Sequence, residues 1–429
     1  GGVVHHLNRA GVACVPVPPG EDGAAGQNLA SRIATCLQLG IAATRDAQGV
    51  LDFSARAPLT ESVRNEPWVQ NHELPPSRVT EYAANAFADI RRMYHIQTVA
   101  YKAALGMLDW SDSDASHVQT RPPDLRLVGA ADAAGKSAAW FFFSADQRYI
   151  LKLATTKELQ VMLDILPDYH RRIQDARQHA DAEGWLLPNT LLPQIYGMYT
   201  VSMDPLKQDG KTVAAKSETH WLVMRNILGS GCKIHERYDL KGSVKGRHAS
   251  TAERAKGYGS TLKCNDFRES RIGAGKHLVT GSAEVTASLK QALQRDVEFL
   301  GDHQLIDYSL LVGCHHKWPE WRPSHKYSVG DSAWCAGEDC RLLCVECAGN
   351  ARSGLTGEQE PVWDQGQQVL DGEVTWRCVT SEPAEGETQA FELSHADRKT
   401  LTYSETEHEL LFYGIIDILT RYTAKKKAE

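Results

Sequence analysis

Three charged side chains stand inside runs that are otherwise apolar, and they limit what this chain can fold into. Lys152 interrupts Tyr149-Ile150-Leu151-Lys152-Leu153, Asp307 interrupts Leu305-Ile306-Asp307-Tyr308-Ser309-Leu310-Leu311, and Asp417 interrupts Gly414-Ile415-Ile416-Asp417-Ile418-Leu419. An unpaired buried charge is strongly destabilising, so each should face a cleft, a counter-charge or a cation. One such residue alone reads as a strand charge pointing at solvent. Three in the order Lys, Asp, Asp match what phosphoryl transfer needs: a lysine on the phosphates, a carboxylate at the attacking hydroxyl, and a carboxylate on magnesium.

The bulk composition frames that reading. The 429 residues are 42% hydrophobic and 24% charged, ordinary for a globular chain of two or three domains. No run of eighteen apolar residues occurs, so any membrane contact is expected to be peripheral. A net charge of −7 disfavours broad nucleic-acid binding, although Arg421 and Lys425–Lys427 form a local basic run suited to an anionic surface or to a solvated helix end. Isolated cysteines at 14, 36, 232, 264 and 314 read as buried or free thiols of a cytosolic protein. The Gly1-Gly2 start and the end at Glu429 suggest a fragment of a longer chain.

Along the chain, residues 1–30 read as a loosely ordered lead-in, and 75–109 as an amphipathic helix carrying Tyr82, Phe87, Ile90, Met93 and Tyr94. Trp140–Ser144 and Tyr149–Leu153 flank a polar turn and read as a β-hairpin. A helix is expected from Thr156 to about Gln178, ended or bent at Pro167; strands at Ile195–Val201 and Trp221–Ile227; a long helix at Ala283–Leu300. Strands and helices mix without regular βαβ alternation, which gives an α+β class. Residues 317–385 differ in kind: five tryptophans and five cysteines, with cysteine spacing that allows zinc but favours plain thiols, mark an inserted β-rich module. Its tryptophans read as a mini-core rather than as sugar-stacking faces.

The segment Tyr238-Asp239-Leu240-Lys241-Gly242-Ser243 resembles the signature of the phosphatidylinositol phosphate kinase family. Further likenesses are Ile306–Gly313, Gly414–Leu419, Leu191–Tyr199, Met224-Arg225-Asn226-Ile227 and Leu293-Gln294-Arg295-Asp296. The resemblance implies a two-lobed kinase-like fold with an antiparallel sheet in the N-terminal lobe. The lobes would span 31–222 and 223–316 with 386–429, and dimers would form through the N-terminal lobe. It implies ATP and Mg2+ as cofactors, a phosphatidylinositol phosphate in an anionic membrane as partner, and a cytoplasmic, peripheral location.

The resemblance also assigns roles. Lys152 would hold ATP phosphates and pair with Glu158; Gly135, Lys136 and Ser137 would form the phosphate loop; Val223, Met224 and Asn226 would lie near adenine. Asp307, Lys241 and Asp239 would be catalytic, and Asp417 would bind Mg2+. Lys245, Arg247, Lys425, Lys426, Lys427 and Glu429 would meet the lipid, with Glu429 pointing to the 5-hydroxyl of phosphatidylinositol 4-phosphate. Thr420 and Ala424–Lys427 look more like the 5-phosphate 4-kinase branch. The chain departs from the family at Ala138-Ala139, Gly246 and His248, which leaves a weakly catalytic phosphoinositide-binding scaffold as a second expectation.

Overall fold

Apolar residues on both sides of the Lys152 and Trp221 segments demand a sheet covered on two faces, and that is where these strands sit. The computed structural model describes residues 23–44, 50–60, 77–105, 125–128, 140–177, 189–204, 206–208, 211–214, 217–256, 259–273, 282–316, 321, 323–329, 332–334, 341–351, 353–359, 368–379, 401–405 and 409–422. A seven-stranded sheet runs in the order Arg56–Thr60, Ser77–Tyr82, Ile195–Met203, Ser217–Arg225, Tyr149–Ala154, Phe141–Phe143 and Arg126–Val128. Every pairing in it is antiparallel. A five-stranded sheet follows, ordered Leu262–Lys263, Glu236–Leu240, Ser309–His316, Glu409–Ile416 and Tyr403–Glu405. Apart from the parallel pairing of Glu236–Leu240 with Leu262–Lys263, the strands of both sheets pair antiparallel, and the mixture of helices and such sheets is of the expected α+β class.

One continuous apolar core joins Leu151, Trp221 and Val223 of the first sheet to Val312, Tyr413 and Ile415 of the second. Close approach between them needs two glycines. A Cβ on Gly414 would stand 2.3 Å from Ile227 Cδ1, and one on Gly313 the same distance from Leu228 Cδ2. Ile227 and Leu228, which follow the Ser217–Arg225 strand, therefore press directly onto the second sheet.

Several sequence expectations shift. Helix covers Gly23–Ala43, so the lead-in is helical by residue 23. The segment 77–82 is strand rather than helix, because Val79 and Tyr82 are drawn into pairing with neighbouring strands; helix begins only at Ala84. The Thr156–Arg177 helix passes through Pro167 without ending there, since Leu159, Met162, Ile165, Leu166, Tyr169 and Ile173 bury one continuous face. Within residues 317–385, Trp376 is fully buried in a small separate core, as the mini-core reading required.

At the end of the second sheet where the Ser309–His316 strand stops and the Glu409–Ile416 strand starts lies a buried ionic network. His316 contacts Glu236 at 3.0 Å and Glu409 at 3.1 Å, and Arg271 reaches the same two carboxylates at 3.2 and 2.9 Å. Burial alone would lower the imidazole pKa. Hydrogen bonds to Cys314 and both glutamates instead hold it up to about 11, so His316 is cationic at neutral pH and the charges balance. Stability from a raised pKa is complete below the ordinary value near 6.5 and is lost as pH rises through the folded value. His316→Gln should therefore cost about 3 kcal/mol near pH 7. Urea denaturation should show the gap to the parent narrowing steadily as pH is raised toward 10.

Candidate active site

Lys152 sits in mid-strand opposite Leu222, which directs its stem through the apolar layer. Its ammonium donates to Asp417 Oδ1 at 2.8 Å and lies 3.6 Å from Glu158 Oε1. The lysine side chain is 11% exposed and that of Asp417 51%, so the pair is buried on one side and open to incoming ligand on the other. Burial works against the lysine's charge, yet Asp417 and Glu158 override it and hold its pKa above the ordinary value. The amine is thus a fixed cation.

Both aspartates occupy left-handed backbone, φ +61° at Asp417 and +64° at Asp307, where non-glycine residues are rare and carry strain. Asp417 follows the Glu409–Ile416 strand directly, and Asp307 precedes the Ser309–His316 strand by one intervening residue. Because Ser309 pairs with Ile416, register brings the two acids to the same end of the sheet. Lys241 arrives at that end too, one residue past Leu240, which pairs with Leu310. Its ammonium donates to the Asp307 carbonyl at 2.9 Å. Three of the residues flagged from sequence therefore converge through strand pairing alone.

Glu158 has a second task. Thr155 N–H and Oγ1 donate to Glu158 Oε2 at 2.8 and 2.9 Å, and Glu158 N–H donates to Thr155 Oγ1, a capping box that starts the following helix. The Arg247 guanidinium donates to the Asp239 carbonyl at 2.9 Å and lies 3.6 Å from the Asp239 carboxylate. Asp239 Oδ1 is buried without a hydrogen-bond partner among the described residues. Val223 is fully buried in the sheet. Asn226 spends its side chain on Gln147 O and Leu228 N–H, while Met224 is half-buried beside them. Lys245 is exposed. Gly135, Lys136, Ser137, Lys425, Lys426, Lys427 and Glu429 lie outside the described residues.

Two supports escape a reading of the sequence. Cys264 Sγ accepts the Lys241 N–H at 3.2 Å, fixing the backbone behind that lysine. Burial would raise this thiol's pKa, but Arg247 and the amides of Lys241 and Gly242 draw it below the ordinary value. Asp266 accepts Ala249 N–H at 2.7 Å and Lys263 N–H at 2.9 Å and pairs with Arg254, tying down the stretch after Gly246. The capping box is legible as Thr155-x-x-Glu158; the other two depend on contacts across the fold. Glu158→Ala should cost about 1 kcal/mol through loss of its half of the capping box, read as a lower urea midpoint at unchanged m-value.

Comparison with known proteins fits this arrangement. Residues 126–429 match the family described as Phosphatidylinositol-4-phosphate 5-Kinase. A protein named probable phosphatidylinositol phosphate kinase from Dictyostelium discoideum is 29% identical over 366 residues, 83% of this chain and 44% of that protein. Phosphatidylinositol 5-phosphate 4-kinase type-2 beta of Mus musculus is 30% identical over 366 residues, 83% of this chain and 71% of its own length. The type-2 alpha protein of Gallus gallus is 31% identical over 370 residues, 83% and 72% respectively. The chain thus spans less than half of the first relative and about seven-tenths of the other two. Lys152, Lys241, Asp307 and Asp417 all fall within the matched residues, and the chain belongs to the phosphatidylinositol phosphate kinase family of lipid kinases.

Proposed function

We propose that this chain transfers the γ-phosphate of ATP to the inositol ring of a phosphatidylinositol monophosphate at a membrane surface. The observation that carries the reading is the Lys152–Asp417–Glu158 group, a buried cation held between two acids where the two sheets meet. On this reading the first sheet through Arg225 forms one lobe, the second sheet forms the other, and residues 317–385 are an insertion in the latter. The lobe boundary shifts from 222 to the end of the Ser217–Arg225 strand, because a hinge cannot lie inside a paired strand. Among the described residues no helix is long and apolar enough to cross a membrane, which is consistent with peripheral attachment.

Each residue's task follows from its place. Lys152 neutralises phosphate charge without needing to gain a proton. Lys241, anchored on the Asp307 carbonyl, brings a second cation to the edge where the acids meet. Asp307, held by strained backbone at that edge, orients the ring hydroxyl and accepts its proton. Arg247 positions Asp239 instead of gripping the lipid directly. The hard carboxylate oxygens of half-exposed Asp417 suit Mg2+, which prefers oxygen ligands and keeps several waters. Bound there, the metal would neutralise phosphate charge beside Lys152.

For the ring position, the 5-hydroxyl reading rests on Glu429 and agrees with the description of the matching family. A second reading, the 4-hydroxyl, is favoured by the names of the Mus musculus and Gallus gallus relatives. Turnover on vesicles of phosphatidylinositol 4-phosphate against 5-phosphate separates the two. A homodimer through the N-terminal lobe belongs to the same proposal.

Millimolar Mg-ATP should raise the Tm of the parent chain by mass action, since ligand binds only the native state. The rise should vanish in Lys152→Met. Asp307→Asn should keep the Tm rise but lose about 10²–10⁴-fold in turnover. Absence of a nucleotide shift in the parent would instead support a phosphoinositide-binding scaffold, the reading motivated by Ala138-Ala139.

A further inference from the structure

The chain leaves the second sheet after His316 and re-enters it at the Tyr403–Glu405 strand, which pairs with the Glu409–Ile416 strand. The stretch between has its own core of Tyr327, Ala333, Leu342, Cys344, Cys347, Val374 and Trp376. A core of that size holds a small unit weakly unless something staples it.

The Arg341–Cys347 strand carries an unusual pair. In an unbroken strand, residues three apart point to opposite faces. Here Cys344 pairs with Trp376 while Glu346 pairs with Thr375, so Val345 is an extra residue in the register. This bulge turns the strand by one position. Leu342, Cys344 and Cys347 consequently all face inward, each no more than 1% exposed, and the two sulfurs stand 3.8 Å apart.

We propose that Cys344 and Cys347 form a dithiol that a low-molecular-weight disulfide such as oxidised glutathione converts to an intramolecular disulfide. One thiolate attacks a reagent sulfur, forming a mixed disulfide and releasing one reagent thiol. The second thiolate then attacks the protein sulfur of that mixed disulfide, closing the Cys344–Cys347 bond and releasing the other reagent thiol. The protein loses two electrons and two protons, and the reagent takes up both.

A tetrahedral metal on two thiolates needs two further ligands, and among the described residues of this core Tyr327, Leu342, Val374 and Trp376 supply none. The carboxylate bound to this core, Asp371, is engaged by the indole N–H groups of Trp321 at 2.8 Å and Trp376 at 2.9 Å and by Gly357 N–H at 2.6 Å. A disulfide is uncharged and suits an apolar core. Burial of both sulfurs makes the reaction wait on local opening of the insertion, so mild urea should accelerate it.

The test uses the full chain, incubated with oxidised glutathione, alkylated under denaturing conditions and mapped by peptide mass. The peptide holding both residues should lose about 2 Da, escape alkylation, and recover both labels after dithiothreitol. A second melting measurement should show the oxidised chain a few degrees more stable, a gain absent in Cys344→Ser. Full alkylation of both residues after oxidation would overturn the proposal. So would pairing of either residue with Cys335, Cys340 or Cys378, a lasting single glutathione adduct, or one equivalent of zinc protecting the pair.

Discussion

The contact between Lys152 and Asp417 ties the fold to its chemistry. It joins residues 265 positions apart, one in mid-strand of the first sheet and the other at the end of a strand in the second. A lysine driven through an apolar layer is tolerable only if carboxylates meet it, and Asp417 and Glu158 do so. The charges that make the site therefore also fix how the sheets face each other. Any shift between them would take Asp417 away from the buried amine and leave it Glu158 alone.

Other features serve the same junction. Asp296, fully buried in the Ala283–Asp302 helix, pairs with Arg172 at 2.7 Å and accepts from Thr190 Oγ1 at 3.0 Å, linking that helix to the segment entering the first sheet. Burial pushes the pKa of this carboxyl up to about 6 against the pull of Arg172. Gly313 and Gly414 let residues 227 and 228 reach the second sheet, where any side chain would collide. The His316 network ties the Glu236–Leu240, Ser309–His316 and Glu409–Ile416 strands together at the sheet end opposite Asp307 and Asp417.

Much of this is legible in the amino-acid sequence. A charge inside an apolar run betrays itself by its neighbours alone, and Lys152, Asp307 and Asp417 all do so. Period 3.6 marks the helix after Thr156, and a polar turn between apolar runs marks the hairpin ahead of it. What stays hidden depends on partners distant along the chain. Ser77–Tyr82 carries helical spacing but is taken by strand pairing. The hydrogen bond from the Arg247 guanidinium to the Asp239 carbonyl is likewise set by the fold. The left-handed backbone at both aspartates and the bulge that turns Cys347 inward are products of register, which a sequence does not spell out.

The most direct test of lipid phosphorylation is transfer from γ-labelled ATP by the full chain to vesicles containing each phosphatidylinositol monophosphate in turn, with positional analysis of the product. The account predicts label in a bisphosphate lipid, at the 5-position from the 4-phosphate or at the 4-position from the 5-phosphate. Label in no lipid, with Mg-ATP present and the chain folded, would contradict it.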